Sequence, residues 1–406
     1  MRQIITSLLD TDQYKFTMLQ LFLHQYPDAM TEWAYKCRNK EVRFTKDMVE
    51  EINHQIDLYC DLHFTEEELV YMSKTPWYKP DFINFLRLWR PIREQITCSL
   101  NEDGTLNLRA KGPNINVSPY ETPLLAIVSE VYYKMNFSEE GYGKIVEDFY
   151  ERFSDKIRRL FNNEYSIGAF SEFGMRRRIS KDVQYEVVKR LAKFQETHSL
   201  GNSTFVGTSN VWLAKEFGIK AVGTMAHECF QTIGQGYPEF NPAYSNKRVL
   251  ESWVKEYGIL NGIALTDCIT TDCFLLDFNT VYATLFSGVR HDSGDPYVWG
   301  NKIIEHYKKL GIDPSSKTLL FSDSLDFERA TQIYNYFKDK TKVAFGIGTY
   351  LVNDTYVPAL NEVMKVVKAN GHNVAKISDT DGKNMCESPE YIKYLKDAIQ
   401  WRLWGK

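Results

Sequence analysis

STFVGTSN (203–210) and KAVGTMAH (220–227) decide how this chain is read. Each is a short apolar segment that ends in hydroxyls, glycine or another polar group. The pattern recurs on both sides, at SIGAFSEF (166–173), GIALTD (262–267), SGVRHDS (287–293), TLLFSDS (318–324) and VAFGIGT (343–349). Most of the intervals hold a plausible amphipathic helix. The clearest are KDVQYEVVKRLAKFQE (181–196) and NKRVLESWVKEYG (246–258). Strand and helix in alternation predict parallel α/β architecture, and seven such segments suit a barrel or a doubly wound sheet.

The rhythm does not extend over the whole chain. Residues 1–140 read as a mixed α+β domain, helical over 45–60 and 64–73, with strands and turns over 107–118 and a tight turn at Asn101-Glu102-Asp103-Gly104. Past 360, two alternating apolar runs flank Asn370-Gly371, a strong hairpin signal because both central residues of the favoured turn need positive φ. A hairpin is antiparallel, so residues 360–406 are expected to join the N-terminal region. The expected fold is an irregular parallel β/α barrel over 141–359, carrying most of the active site, beside a mixed α+β domain.

Composition narrows the class. The 406 residues are 43% hydrophobic and 25% charged, which excludes wholesale disorder. With 49 Lys and Arg against 53 Asp and Glu, the net charge is −4, unsuited to bulk nucleic-acid or membrane binding. An anionic ligand must therefore meet a local cluster of positive charge. Aromatic residues, at 14%, suit large cores and flat ring-shaped ligands. The seven cysteines include no C-x-x-C pair and read as reduced thiols of a cytoplasmic protein rather than a disulfide framework or zinc site. No stretch approaches the roughly 18 apolar residues of a membrane helix. A soluble intracellular enzyme is expected, a scaffold protein being the alternative.

In a parallel barrel, functional groups gather where the strands end at their carboxyl side. Those ends carry Glu172 and Arg176; Thr208, Ser209 and Asn210; Thr224 and His227; Asp267; Arg290 and Asp292; Ser322 and Asp323; and Gly348 and Thr349. The run Arg176-Arg177-Arg178 is a candidate anion clamp, since guanidinium binds phosphate oxygens in bidentate fashion; taken alone, it reads better as a solvated helix start. Gly346-Ile347-Gly348-Thr349 after an apolar strand suits a phosphate cradle. Leu351 stands where a dinucleotide fingerprint needs its third glycine, and no G-x-x-x-x-G-K-[ST] loop exists. Arg290-His291-Asp292-Ser293-Gly294-Asp295-Pro296 offers carboxylates for Mg²⁺ or sugar hydroxyls and an Arg for an anion, though it is also good turn chemistry. Tyr14, in a helix-start pattern, reads as core from its surroundings alone.

Taken together, LLDTDQYKFTM (8–18), EFGMRRR (172–178), GTSNVWLA (207–214), GTMAHE (223–228), LTDC (265–268), VRHDSGDP (289–296), FSDS (321–324) and FGIGT (345–349) closely resemble the nicotinate phosphoribosyltransferase family over nearly the whole chain. The resemblance implies transfer of phosphoribose from phosphoribosyl pyrophosphate to nicotinate, giving nicotinate mononucleotide and pyrophosphate in NAD salvage, coupled to ATP hydrolysis. It implies Mg²⁺ and ATP as cofactor and co-substrate. It assigns His227 as a phosphohistidine, Arg290 and Asp267 as catalytic groups, and Tyr14, Thr224, Ser209 and Arg290 as the nicotinate site. Arg176, Asp292, Ser322, Asp323, Gly348 and Thr349 would hold phosphoribosyl pyrophosphate. Which acid meets the metal is left open. The family tyrosine matching Tyr14 stacks on the pyridine from the neighbouring subunit, so a head-to-tail homodimer with shared sites is expected. Nicotinamide-using relatives carry an Asp where Ser209 stands, so nicotinate is the expected substrate, with Ser209 donating to its carboxylate. A nicotinamide-using enzyme and a ligand-binding barrel without chemistry are the alternatives.

Overall fold

The computed structural model of the chain describes residues 1–197, 200–379 and 385–405. Its strands are β1 (Met30–Cys37), β2 (Ile96–Leu100), β3 (Leu106–Pro113), β4 (Gly168–Glu172), β5 (Ser203–Thr208), β6 (Lys220–Ala221), β7 (Ile263–Leu265), β8 (Gly288–His291), β9 (Thr318–Phe321), β10 (Lys342–Ile347), β11 (Glu362–Ala369) and β12 (His372–Asn373). They form two sheets. The first is antiparallel, in the order β12-β11-β1-β3-β2. Strand β1 pairs with β11 on one side and β3 on the other, so the C-terminal hairpin does join the N-terminal region. Asn370 and Gly371 take φ of 50° and 80°, the positive values the hairpin turn requires.

The second sheet is wholly parallel, in the order β6-β5-β4-β10-β9-β8-β7, and curls as a half-barrel. Helices cover its strands, and Phe170, Phe205, Val289, Leu319, Phe321, Phe345 and Ile347 are fully buried within it. Strands β6 and β7 are its edges. The expected strand over 220–227 survives only as Lys220–Ala221; the rest is a loop, and His227 opens a helix, His227–Gln235. Across the seam the Thr224 hydroxyl donates to the Ile263 carbonyl at 2.7 Å. A side chain, not a strand ladder, closes this gap.

Local chemistry explains the helix starts. Ser180 accepts from the Val183 amide to cap Lys181–Glu196, and Asp295 caps Pro296–Lys309, with proline in its first turn. The helix Gln13–Gln25 spans both halves of the molecule. Its Tyr14, Met18, Leu21 and Phe22 enter the core of the parallel sheet, while Phe16 and Leu19 enter that of the antiparallel sheet. The segment before it is fastened to the end of β5. The Gln13, Val211 and Trp212 amides donate to Ser209, Thr11 and Leu9 carbonyls at 2.7, 3.0 and 2.8 Å. Beneath them Arg178 makes a two-pronged pair with Asp10 at 2.9 and 3.0 Å, both residues wholly buried.

Candidate active site

The carboxyl ends of the parallel strands open into a cleft of about 470 Å³ whose far wall comes from the antiparallel sheet. Of the residues expected there, Tyr14, Arg176, Ser209, His227, Arg290, Asp292, Ser322, Asp323, Gly348 and Thr349 line it. Thr224 and Asp267 do not. The Thr224 hydroxyl is engaged at the seam. Asp267 is buried behind His227 and is not among the residues that line the cleft.

His227 is the first residue of its helix. Its Nε2 lies 2.9 Å from Asp267 Oδ1, and the other oxygen of Asp267 accepts from Ser293 Oγ at 2.6 Å and faces Lys376 Nζ at 3.1 Å. A carboxylate beside Nε2 fixes the proton there and leaves Nδ1 with the lone pair. Burial, with Lys376 second, outweighs Asp267 and lowers the imidazole to about 4, so the ring is neutral near pH 7. Asp267 is held well below the usual carboxylate range, because Lys376 and His227 together outweigh its burial. Asp292 is likewise lowered: Arg290 and Lys376 overcome its burial. The arrangement is a neutral nucleophilic nitrogen, backed by an acid, with an ammonium beside it.

On the other side of the cleft the three arginines diverge. Arg176 faces the cleft and lies 3.6 Å from Glu121. Arg177 donates to the Glu362 carbonyl at 3.0 and 3.2 Å, and burial lowers it to about 10. Arg178 is locked to Asp10. The expected clamp is therefore mainly Arg176. Ser209 does not cap the following helix; Asn210 does, accepting from the Leu213 amide. The Ser209 hydroxyl donates instead to Asp12 Oδ1 at 2.6 Å. Ser209 thus ties Asp12 to the cleft wall that both residues line. Asp12 occupies the N-cap position of Gln13–Gln25 without capping it, turned instead toward Ser209 and the cleft. Burial raises its pKa against the opposing pull of Arg176. Tyr14 lines the cleft of its own chain, where a Cβ on Gly223 would come within 3.0 Å of the Tyr14 amide.

The end of the cleft at Gly346–Thr349 is built from backbone. Gly346 lies so close to the Phe173 ring that a Cβ there would approach it at 2.3 Å, and a Cβ on Gly348 would sit 3.0 Å from the Phe173 carbonyl. Ser322 Oγ lies 2.9 Å from the His291 carbonyl and 3.1 Å from Asp292. Arg290 donates to the Met225 carbonyl at 3.1 Å and faces Asp292 at 3.7 Å. Arg38 and Lys365 line the cleft from the antiparallel sheet, and Lys376 from the stretch after β12, beside Asp267. The sequence pattern did not single these out, nor Asp12, because none lies at the end of a strand of the parallel sheet.

Among the described residues one cluster has metal-ligand spacing, His227, Asp267 and Asp292, with ligand atoms within 4.8 Å of one another. It does not suit a resident Mg²⁺. That ion wants a near-octahedral oxygen shell, and here Lys376 Nζ already stands 3.1 and 3.6 Å from the two carboxylates. The seven cysteines are all free, and no helix among the described residues is long and apolar enough to cross a membrane.

The comparisons agree with this geometry. Residues 169–402 match the nicotinate phosphoribosyltransferase family model, and residues 9–129 match the N-terminal domain of the same family. The chain is 43% identical to nicotinate phosphoribosyltransferase 1 of Pseudomonas aeruginosa over 398 residues, covering 98% of this chain and 97% of that one. It is 42% identical to nicotinate phosphoribosyltransferase of Chromobacterium violaceum over 408 residues, at 98% and 97% coverage. The crystal structure of the Porphyromonas gingivalis nicotinate phosphoribosyltransferase superposes with a TM-score of 0.87 at 35% identity, covering 98% of this chain and all of the other. That of a putative nicotinate phosphoribosyltransferase from Saccharomyces cerevisiae gives 0.90 at 32% identity, with 99% of each chain covered. A half-barrel whose rim and facing sheet converge on one cationic cleft, matched from end to end by these relatives, shows that the chain belongs to the nicotinate phosphoribosyltransferase family.

Proposed function

We propose that this enzyme joins nicotinate to phosphoribosyl pyrophosphate, releasing nicotinate mononucleotide and pyrophosphate, and that ATP drives the reaction by transient phosphorylation of His227. The single observation that carries the ATP coupling is the environment of His227. A buried, neutral imidazole with Nε2 held by Asp267 presents Nδ1 as a nucleophile, and Lys376 is placed to offset the charge a phosphoryl group brings. Attack of Nδ1 on the terminal phosphorus of ATP breaks the bond to the bridging oxygen and releases ADP. Water later takes the phosphoryl group as inorganic phosphate.

In the transfer itself the pyridine nitrogen attacks the anomeric carbon as the bond to pyrophosphate breaks, through a cation-like sugar. Arg176, Arg290 and Lys365 hold anionic groups and take up the leaving group's growing charge. The Gly348–Thr349 backbone and the Ser322 and Asp323 turn meet the ribose phosphate. Tyr14 and Phe173 wall the pyridine. Magnesium belongs to the reaction as the counter-ion of the pyrophosphate substrate. The preference for nicotinate over nicotinamide rests on Arg176 and Arg290, not on a proton from Ser209.

All these groups belong to one chain. Tyr14 lines the cleft of its own chain, and the head-to-tail homodimer with shared sites that the resemblance implies stays part of this reading. The reading is tested by measuring pyrophosphate release from nicotinate and phosphoribosyl pyrophosphate with Mg²⁺, with and without ATP. Release should be stimulated by ATP and lost with nicotinamide. Labelled phosphate should pass from ATP to the wild type but not to His227→Ala. Label retained at wild-type level on His227→Ala would sink the phosphohistidine, and equal rates without ATP would sink the coupling.

A further inference from the structure

Lys15 and Glu121 take no part in the chemistry above, yet both are wholly buried charges next to it. Lys15 Nζ lies 2.7 Å from Glu121 Oε2 and pairs with Glu228, the residue after His227. The other oxygen of Glu121 lies 2.8 Å from Lys365 Nζ and 3.6 Å from Arg176 Nη1, the two cations of the cleft wall. Glu228 is anchored in turn by Ser118 Oγ at 2.5 Å. Glu121 therefore stands between three cations, one of them tied to the helix that His227 opens.

We propose that Glu121 is a positioning residue for the transfer reaction, holding Arg176 and Lys365 in the orientation that binds the anionic substrate. This rests on the cleft being the phosphoribosyl pyrophosphate site. Two roles make opposite predictions. If Glu121 acted only through its charge, removing that charge would leave the cleft more positive and bind anions more tightly. If it positions, its loss leaves Arg176 and Lys365 facing each other with no anion between them. They separate, and the buried Lys365 gives up its proton. Burial already lowers the Lys365 pKa, Arg176 and Lys15 lower it further, and Glu121 supports it. Anion binding then weakens although a negative charge has been taken away.

The experiment measures inorganic pyrophosphate binding by calorimetry, together with KM and kcat. Glu121→Gln should bind pyrophosphate about tenfold more weakly, with KM for phosphoribosyl pyrophosphate rising more than kcat falls. Glu121→Asp keeps the charge but withdraws it by one methylene. It protects against a folding failure of the first variant and should weaken binding by a smaller factor at an unchanged melting temperature. Lys365→Met alone and with Glu121→Gln completes a double-mutant cycle, in which the double variant should bind no more weakly than the weaker single one. Tighter pyrophosphate binding in Glu121→Gln, additive effects in the cycle, or wild-type affinity in Glu121→Asp would each overturn the proposal. No pyrophosphate binding by the wild type would overturn the reading of the cleft with it.

Discussion

At the scale of single residues, His227 and Ser209 carry the sharpest consequences. An ordinary histidine titrates near 6.5, whereas this one is lowered to about 4 by burial and Lys376. Phosphorylation of His227 by ATP should therefore hold its rate as pH falls from 8 to 5.5, read as labelled phosphate bound per chain. A half-maximal loss near pH 6.5 would show that the ring is not desolvated. Stability follows the same group. The unfolded chain takes up a proton below about 6.5 that the folded chain refuses until about 4. Folding free energy is thus lost as pH falls through that window, by on the order of 3 kcal/mol. Urea titrations of the wild type and His227→Asn at pH 7.5 and 5 check it, the variant showing the smaller change. At Ser209, an Asp would place a second carboxylate against buried Asp12. At about 4 Å and an effective dielectric near 20, the repulsion is about 4 kcal/mol. Ser209→Asp should lose both stability and nicotinate use. Ser209→Ala leaves Asp12 short of a donor and should cost about 1–3 kcal/mol. A harmless Ser209→Asp, measured by melting and by kcat/KM, would mean that the Asp12 contact does nothing.

At the scale of elements, the parallel strands were legible because each is a short apolar run ending in polar residues. The loop at 222–226 was not, since KAVGTMAH has the same apolar content as a strand and only β6's two residues find a ladder. The helix Gln13–Gln25 showed only its start, the pattern at Tyr14, and hid its extent for the opposite reason. Its residues 13–22 are all buried, so no polar stripe marks the period. The helix Glu121–Asn136 is buried almost as fully. The site divided along the same line. Groups on the barrel rim could be read from strand ends, whereas Asp12, Lys365 and Lys376 arrive from segments whose nearness only the tertiary fold reveals. Phe173 shows how an element serves the site. It follows β4 and packs its ring where β10 has no side chain. Gly346→Ala should push that ring into the cleft and lower kcat/KM for nicotinate by more than its melting shift explains. Unchanged kcat/KM would mean that the ring finds another place.

At the scale of the whole molecule, one chain brings Tyr14 and Arg290 to the same cleft. With sites shared between two copies, mixing inactive Tyr14→Ala with inactive Arg290→Ala should restore activity once subunits exchange. No recovery in the exchanged mixture would show that each chain completes its own cleft. The antiparallel sheet has a different consequence, one of timing. Strand β1 needs β11 as a neighbour, and about 325 residues separate Cys37 from Glu362. At roughly 5–20 residues per second, a ribosome takes on the order of 15–65 s to make that stretch. Throughout this interval the N-terminal half holds a strand with one edge bare, an invitation to wrong partners. Nascent chains halted before residue 362 should leave Met30–Cys37 open to protease, while chains released after β12 should not. The order in which the message is read thus makes closing this sheet one of the last acts of folding.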